Sequence, residues 1–163
     1  MRTSRRLVSL CAATGLLASG LFATTTASAA ARPAGTPRPL TGVLIVSWMN
    51  NRCLDIRGGN TGNGASVAMW NCVGAPQQRW YWSGSSIVSD LNGKCLDVAD
   101  GNGANGAALN MWDCNGGQTW AWNGNQLVHG NKCLDISGAN QWNGAAVQMW
   151  DCNGSPQQQW HVG

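Results

Sequence analysis

Residues 148–152 read QMWDC, residues 110–114 read NMWDC and residues 68–72 read AMWNC. Each stretch sets a tryptophan, a side chain with much apolar surface to hide, directly before Asp or Asn and two residues before a cysteine. One such placement could be incidental; three call for a common cause.

The surrounding sequence supplies it. Cys-Leu-Asp occurs at 53–55, 95–97 and 133–135, Asn-Gly at 63–64, 105–106 and 143–144, and Gln-x-Trp at 78–80, 118–120 and 158–160, always in that order around the Met-Trp stretch. Self-similarity at a period of about 40 residues denotes a ring or stack of supersecondary units, so the fold carries threefold internal symmetry. The Asn-Gly punctuation, the short apolar runs and the alternation at Gln78, Trp80 and Trp82 indicate strands joined by tight turns. No segment has helical period and length. About four strands per copy gives roughly twelve, an all-β domain.

The ends of the chain read differently. Arg2, Arg5 and Arg6, the mostly apolar run from Leu7 to Phe22, and Ala27-Ser28-Ala29 have the three parts of a secretory signal peptide, assigned to residues 1–29. The apolar run is short, interrupted by Ser and Thr, and followed by no basic stop, which argues against a membrane anchor and membrane insertion. Ser4-Arg5-Arg6-Leu7 leaves both the general and the twin-arginine export routes open. Residues 30–41, with three prolines and no apolar periodicity, form an extended leader, and residues 42–163 form one domain. The expected location is extracellular.

Charge follows from that division. The whole chain carries a formal +3. Three of its basic residues lie in the signal, and from Gly42 onward Arg52, Arg57, Arg79, Lys94 and Lys132 face seven aspartates. Nucleic-acid binding needs a basic stripe to displace counterions, and this domain has none.

Outside the signal, which contains Cys11, six cysteines remain. Cys53 and Cys72, Cys95 and Cys114, and Cys133 and Cys152 are each 19 apart. In an exported domain the even set reads as three disulfides, most simply one inside each copy. No CxxC spacing or histidine pairing suggests zinc, and neither a metal nor a cofactor is expected.

Three copies of C-L-D, x-M-W-(D/N)-C and Q-x-W resemble the ricin B-type lectin module, the (QxW)3 β-trefoil also called carbohydrate-binding module family 13. The resemblance spans the whole of residues 42–163. It implies twelve strands in a short barrel capped by three hairpins, where strand counting alone leaves a small propeller open. It also implies a shallow sugar pocket on the outside of each copy.

The resemblance assigns residues to those pockets. A pyranose has an apolar face of C–H groups and a rim of hydroxyls, so its site needs a flat aromatic plate with acceptors and donors beside it. The plates are Trp70, Trp112 and Trp150, and the carboxylates, which accept charge-assisted hydrogen bonds from hydroxyls, are Asp55, Asp97 and Asp135. Two residues before each plate, where the family often has an amide, stand Ala68, Asn110 and Gln148; before the Gln-x-Trp glutamine stand Gln77, Gly117 and Gln157. The loop from Cys114 to Gln118 is shorter than its two counterparts, at the edge expected to face the sugar. The third site (Asp135, Gln148, Trp150, Gln157) therefore ranks first, the first site next and the second last. Gln78, Gln118 and Gln158 are expected to hold the aspartates from behind.

Other tryptophans read as core. Trp80, Trp120 and Trp160 sit at alternating strand positions beside the paired cysteines, with Trp82 and Trp122 on the same face. Trp142, where the other copies have Gly62 and Ala104, is either an additional stacking plate in the third site or a loop anchor. His129 and His161 repeat nowhere and read as surface residues.

Two function classes compete with a non-catalytic lectin. Glycoside hydrolysis needs two carboxylates flanking one bond, yet the chain has no Glu and five of its seven Asp fall at repeated positions. A trefoil can also serve as a protein-binding module or inhibitor through its loops, and the fold alone does not decide this. Retention of an Asp and a plate in all three copies favours a monomeric, multivalent binder of polysaccharide or cell-surface glycan of galactose or xylose type.

Overall fold

The computed structural model describes residues 42–163; the expected signal peptide and leader lie outside the described residues. Twelve strands run in order: β1 Val43–Ser47, β2 Cys53–Ile56, β3 Ala65–Trp70, β4 Arg79–Ser83, β5 Ser86–Ser89, β6 Cys95–Val98, β7 Ala107–Trp112, β8 Ala121–Asn123, β9 Gln126–His129, β10 Lys132–Ile136, β11 Val147–Asp151 and β12 Trp160–Val162. Single 3-10 turns, which the sequence reading did not anticipate, follow β2, β6 and β10 and precede β4 and β12. Among the described residues the second copy has no such turn before β8, because the shortened loop lacks its Pro-Gln-Gln.

Six strands close into a barrel. The regular pairs β1–β4, β4–β5, β8–β9 and β1–β12 supply most of the ring. Single bonds from Trp120 N to Ser85 O and from Trp160 N to Asn125 O, both 2.7 Å, complete it. The other six strands form the hairpins β2–β3, β6–β7 and β10–β11. This is the β-trefoil the sequence resemblance implies.

Register explains the recurring Met-Trp pair. Leu54 faces Met69, Leu96 faces Met111 and Leu134 faces Met149 across the three hairpins. These six side chains are fully buried, at 1% exposure or less. Because successive side chains on a strand point to opposite faces, the methionine that enters the core sends its neighbouring tryptophan outward. Trp70, Trp112 and Trp150 are accordingly 43%, 42% and 38% exposed. Trp80, Trp120 and Trp160 lie in the core, and their Nε1 atoms donate to the carbonyls of Leu54, Leu96 and Leu134 at 3.1, 2.9 and 3.0 Å. The expectation for Trp82 and Trp122 needs refinement. They pair with buried Ile87 and Leu127 at the barrel's mouth, where Trp122 is half-buried and Trp82 stays 37% exposed.

The disulfides are Cys53–Cys72, Cys95–Cys114 and Cys133–Cys152, one per copy as expected. A second device joins one copy to the next. Gly64, Gly106 and Gly144, all at positive φ, donate their N–H to the carbonyls of Met111, Met149 and Met69. Only glycine takes that conformation without penalty, which accounts for Asn-Gly at this place in each repeat. The preceding asparagines complete the joint. Asn63 Nδ2 donates to Asp113 Oδ2 at 2.9 Å, and Asn105 Nδ2 to Asp151 Oδ2 at 2.7 Å. Asn143 closes the circle by accepting from Arg52, which also donates to Asn71. The cations before each first cysteine join in, Lys94 to Asp113 at 2.5 Å and Lys132 to Asp151 at 2.6 Å.

Candidate functional site

The hairpin register also brings the expected site residues together. Asp55 faces Ala68, Asp97 faces Asn110 and Asp135 faces Gln148, while Cys53, Cys95 and Cys133 face the plates Trp70, Trp112 and Trp150. Positions two apart on a strand share a face, so each carboxylate, its cross-strand partner and the plate stand on one outer surface of their hairpin.

In the third copy the carboxylate is gripped on both oxygens. Gln148 Nε2 donates to Asp135 Oδ1 at 2.9 Å, and Gln158 Nε2 to Oδ2 at 3.1 Å. Asp135 is only 3% exposed, and burial pushes its carboxyl above the ordinary 3.8 against the opposing pull of Gln148 and Gln158. Gln157 is half-buried beside Gln158. Trp142 is 74% exposed, on a loop whose shallow depression is lined by Ser137 to Trp142. That depression includes neither Asp135 nor Trp150 in its lining.

The first copy keeps the brace and lacks the amide. Gln78 Nε2 donates to Asp55 Oδ2 and to Asn71 O, both at 2.8 Å, while its Oε1 accepts from Val73 N and Gly74 N. Ala68 is buried and offers nothing polar. Burial raises the Asp55 carboxyl above its usual range, with Gln78 pulling the other way. Gln77 is half-buried beside Gln78.

The second copy departs most. Gln118 remains buried, its Nε2 donating to Asp113 O at 3.2 Å and its Oε1 accepting from Asn115 N at 3.0 Å. The shorter loop does not scatter the site: Asp97, Asn110 and Trp112 line one cavity of about 210 Å³ with Asp100, Gly101 and Asn115. Burial raises the Asp97 carboxyl, opposed by the Val98 N–H, by His129 and by Gln118. His129 is half-buried, its ring 5.4 Å from that of Trp120.

Several participants were missed from sequence. Trp48, 57% exposed, stacks on His161 with ring centroids 4.0 Å apart; Trp48 belongs to no repeated motif, so nothing marked it. The joint residues Arg52, Lys94 and Lys132 were visible as a basic position before every first cysteine. Asp113 and Asp151 lay inside the quoted stretches, and their role appears only once neighbouring copies meet. Among the described residues no group of three or more His, Cys, Asp or Glu could hold a metal.

Comparison with known proteins agrees with this architecture. The designed threefold-symmetric protein ThreeFoil superposes with a TM-score of 0.68 at 27% identity, covering 74% of this chain and 96% of its own. The earthworm R-type lectin C-half, solved with GalNAc, shares the fold at 24% identity and TM-score 0.65, over 74% of this chain and 95% of its own. An exo-β-1,3-galactanase from Clostridium thermocellum matches at 27% identity and TM-score 0.68 over 76% of this chain, which corresponds to only 30% of the galactanase. No curated protein matches the chain significantly. The profile of the ricin-type beta-trefoil lectin domain matches residues 41–162, so the chain belongs to the ricin-type β-trefoil lectin family and is a carbohydrate-binding protein.

Proposed function

We propose that this protein is a secreted, monomeric and non-catalytic lectin that holds galactose- or xylose-type polysaccharide or cell-surface glycan through up to three shallow pockets. The observation that carries this reading is the shared outer face of each hairpin, where an exposed indole stands beside a carboxylate that is braced and buried in the first and third copies and half-buried in the second. The indole stacks on the apolar face of a pyranose, and the carboxylate accepts hydrogen bonds from neighbouring hydroxyls. Gln78, Gln118 and Gln158 act as positioning residues behind those carboxylates. In the third pocket the amides of Gln148 and Gln157 add donors and acceptors, and the exposed Trp142 of the same repeat is the candidate for a second plate. The galactanase that matches over 30% of its length supports the galactose side of the choice, since this fold there forms part of a galactan-cleaving protein.

One shallow pocket binds at around millimolar affinity, near −4 kcal/mol, so useful retention needs several pockets on one polymer. The test is a glycan array and an insoluble-polysaccharide pull-down with the purified protein, beside Asp135→Ala and Trp150→Ala. Binding to a galactose- or xylose-containing polymer that falls sharply in both variants supports the lectin. Folded protein that retains no glycan sinks it and favours a protein-binding trefoil.

A further inference from the structure

The second pocket differs from the other two in charge. The turn after β6 has Asp100 at its centre, where the equivalent turns have Gly58 and Gly138. All three residues lie at left-handed φ, +57° for Asp100, +64° for Gly58 and +62° for Gly138. Glycine takes this conformation freely and a side chain does not, so the second copy carries a carboxylate at a position better suited to none. Asp100 is exposed and makes no hydrogen bond or ion pair among the described residues. It nonetheless lines one cavity with Asp97 and the exposed plate Trp112.

Asn110, on the same wall, keeps a buried Oδ1 with no protein donor. Two carboxylates and an unpaired amide oxygen thus surround an aromatic plate, and no Lys or Arg lines the cavity to neutralise them. His129 acts on Asp97 from outside the cavity lining.

Resting on the sugar-binding reading above, we propose that the second pocket selects an amino sugar bearing a free, protonated amine. The ring lies on Trp112 and the ammonium sits between Asp97 and Asp100. An ammonium brings three N–H donors and a positive charge to this set of acceptors, where a hydroxyl brings one donor and no charge. The indole face adds cation–π attraction. N-acetylation removes the charge and enlarges the substituent, so it removes the preference. The first and third pockets, with glycine in place of Asp100, lack the second carboxylate and take neutral sugars.

The test compares a glucosamine oligomer, its N-acetylated form, and neutral galactose and xylose oligomers by titration calorimetry, with the wild-type protein and Asp100→Gly. The variant installs the residue both other copies carry, and a thermal melt verifies its fold. The expected result is about tenfold tighter binding of the free-amine oligomer than of its N-acetylated form, the worth of one charge-assisted contact, and loss of that preference in Asp100→Gly. Equal affinities in the wild type overturn the inference, as does a preference that survives in Asp100→Gly. Calcium binding to the wild type that is lost in Asp100→Gly overturns it too, by giving the carboxylates another partner. If neutral oligomers bind without any preference for the amine, this inference alone fails; if no oligomer binds, the lectin reading fails with it.

Discussion

Gln158 holds Asp135 from behind, its Nε2 donating to Oδ2 at 3.1 Å across 23 residues of chain. The same nitrogen donates to the carbonyl of Asp151 at 2.9 Å, and Oε1 accepts from Asn153 N at 2.9 Å. One fully buried side chain thereby connects the pocket carboxylate, the strand carrying the plate and the loop between them.

Replacing it with a residue of similar volume and no amide isolates that role. Gln158→Met leaves a buried carboxylate and two backbone groups short of partners, each costing on the order of 1–3 kcal/mol, so a loss of about 3 kcal/mol is expected after relaxation. Urea denaturation measures it. Glycan affinity in the third pocket should fall more than the first pocket's, which Gln78 braces separately; unchanged affinity would show that the glutamine serves the fold alone.

The two tryptophans of each repeat should behave oppositely. Trp150 is exposed, so Trp150→Ala should cost less than about 1 kcal/mol of stability while removing third-pocket binding. Trp160 is buried and donates to Leu134 O, so Trp160→Ala should cost about 3–5 kcal/mol through the cavity and the stranded carbonyl. Thermal melts beside a glycan titration separate the two.

Much of this was legible in sequence because the repeat supplied three readings of every position. The three Cys–Cys pairs, the twelve strands, the buried Gln-x-Trp tryptophans and the shared face of Asp135, Gln148 and Trp150 follow from spacing, period-2 alternation and family resemblance. What sequence did not show arises where copies meet or differ. The Asn105–Asp151 joint pairs residues 46 apart in chain, on different repeats, and no local pattern announces it. Trp48 is unique, and the partial burial of Trp122 depends on the geometry of the barrel mouth. Asp100 repeats in neither other copy, and what distinguishes it, a left-handed φ and a place in the cavity of Trp112, is visible only in the fold.

Binding by the third pocket should fall away in acid, at a higher pH than an ordinary carboxylate would set. Burial holds the Asp135 carboxyl above 3.8, with Gln148 and Gln158 opposing. The protonated form accepts poorly from sugar hydroxyls, so affinity is full above the raised value and declines as pH drops through it, at a higher pH than an exposed aspartate would give. For stability the sign reverses. A carboxylate with a raised folded pKa contributes most below 3.8, and that contribution is lost as pH rises through the folded value. Calorimetric titration across the acid range, with melts in parallel, checks both; binding that holds down to the ordinary carboxylate range would refute the assignment of Asp135.

The joints between copies should show the opposite acid response. Asp113 is held below 3.8 first by its hydrogen bond from Lys94 and then by Asn63, and Asp151 likewise by Lys132 and Asn105. A lowered folded pKa contributes stability above the unfolded value and loses it as pH falls through the folded one. Both groups are exposed, so water and salt screen the gain and each joint contributes little alone. Their common geometry makes the sum measurable. In Asp113→Ala/Asp151→Ala the stability gap to wild type should be widest at neutral pH, shrink below 3.8, and narrow in high salt, as denaturant midpoints at several pH values would record. A gap independent of pH and salt would mean that the charge of the carboxylates contributes nothing, and no gap at all would leave the joints to the Asn-Gly backbone bonds of Gly64 and Gly106.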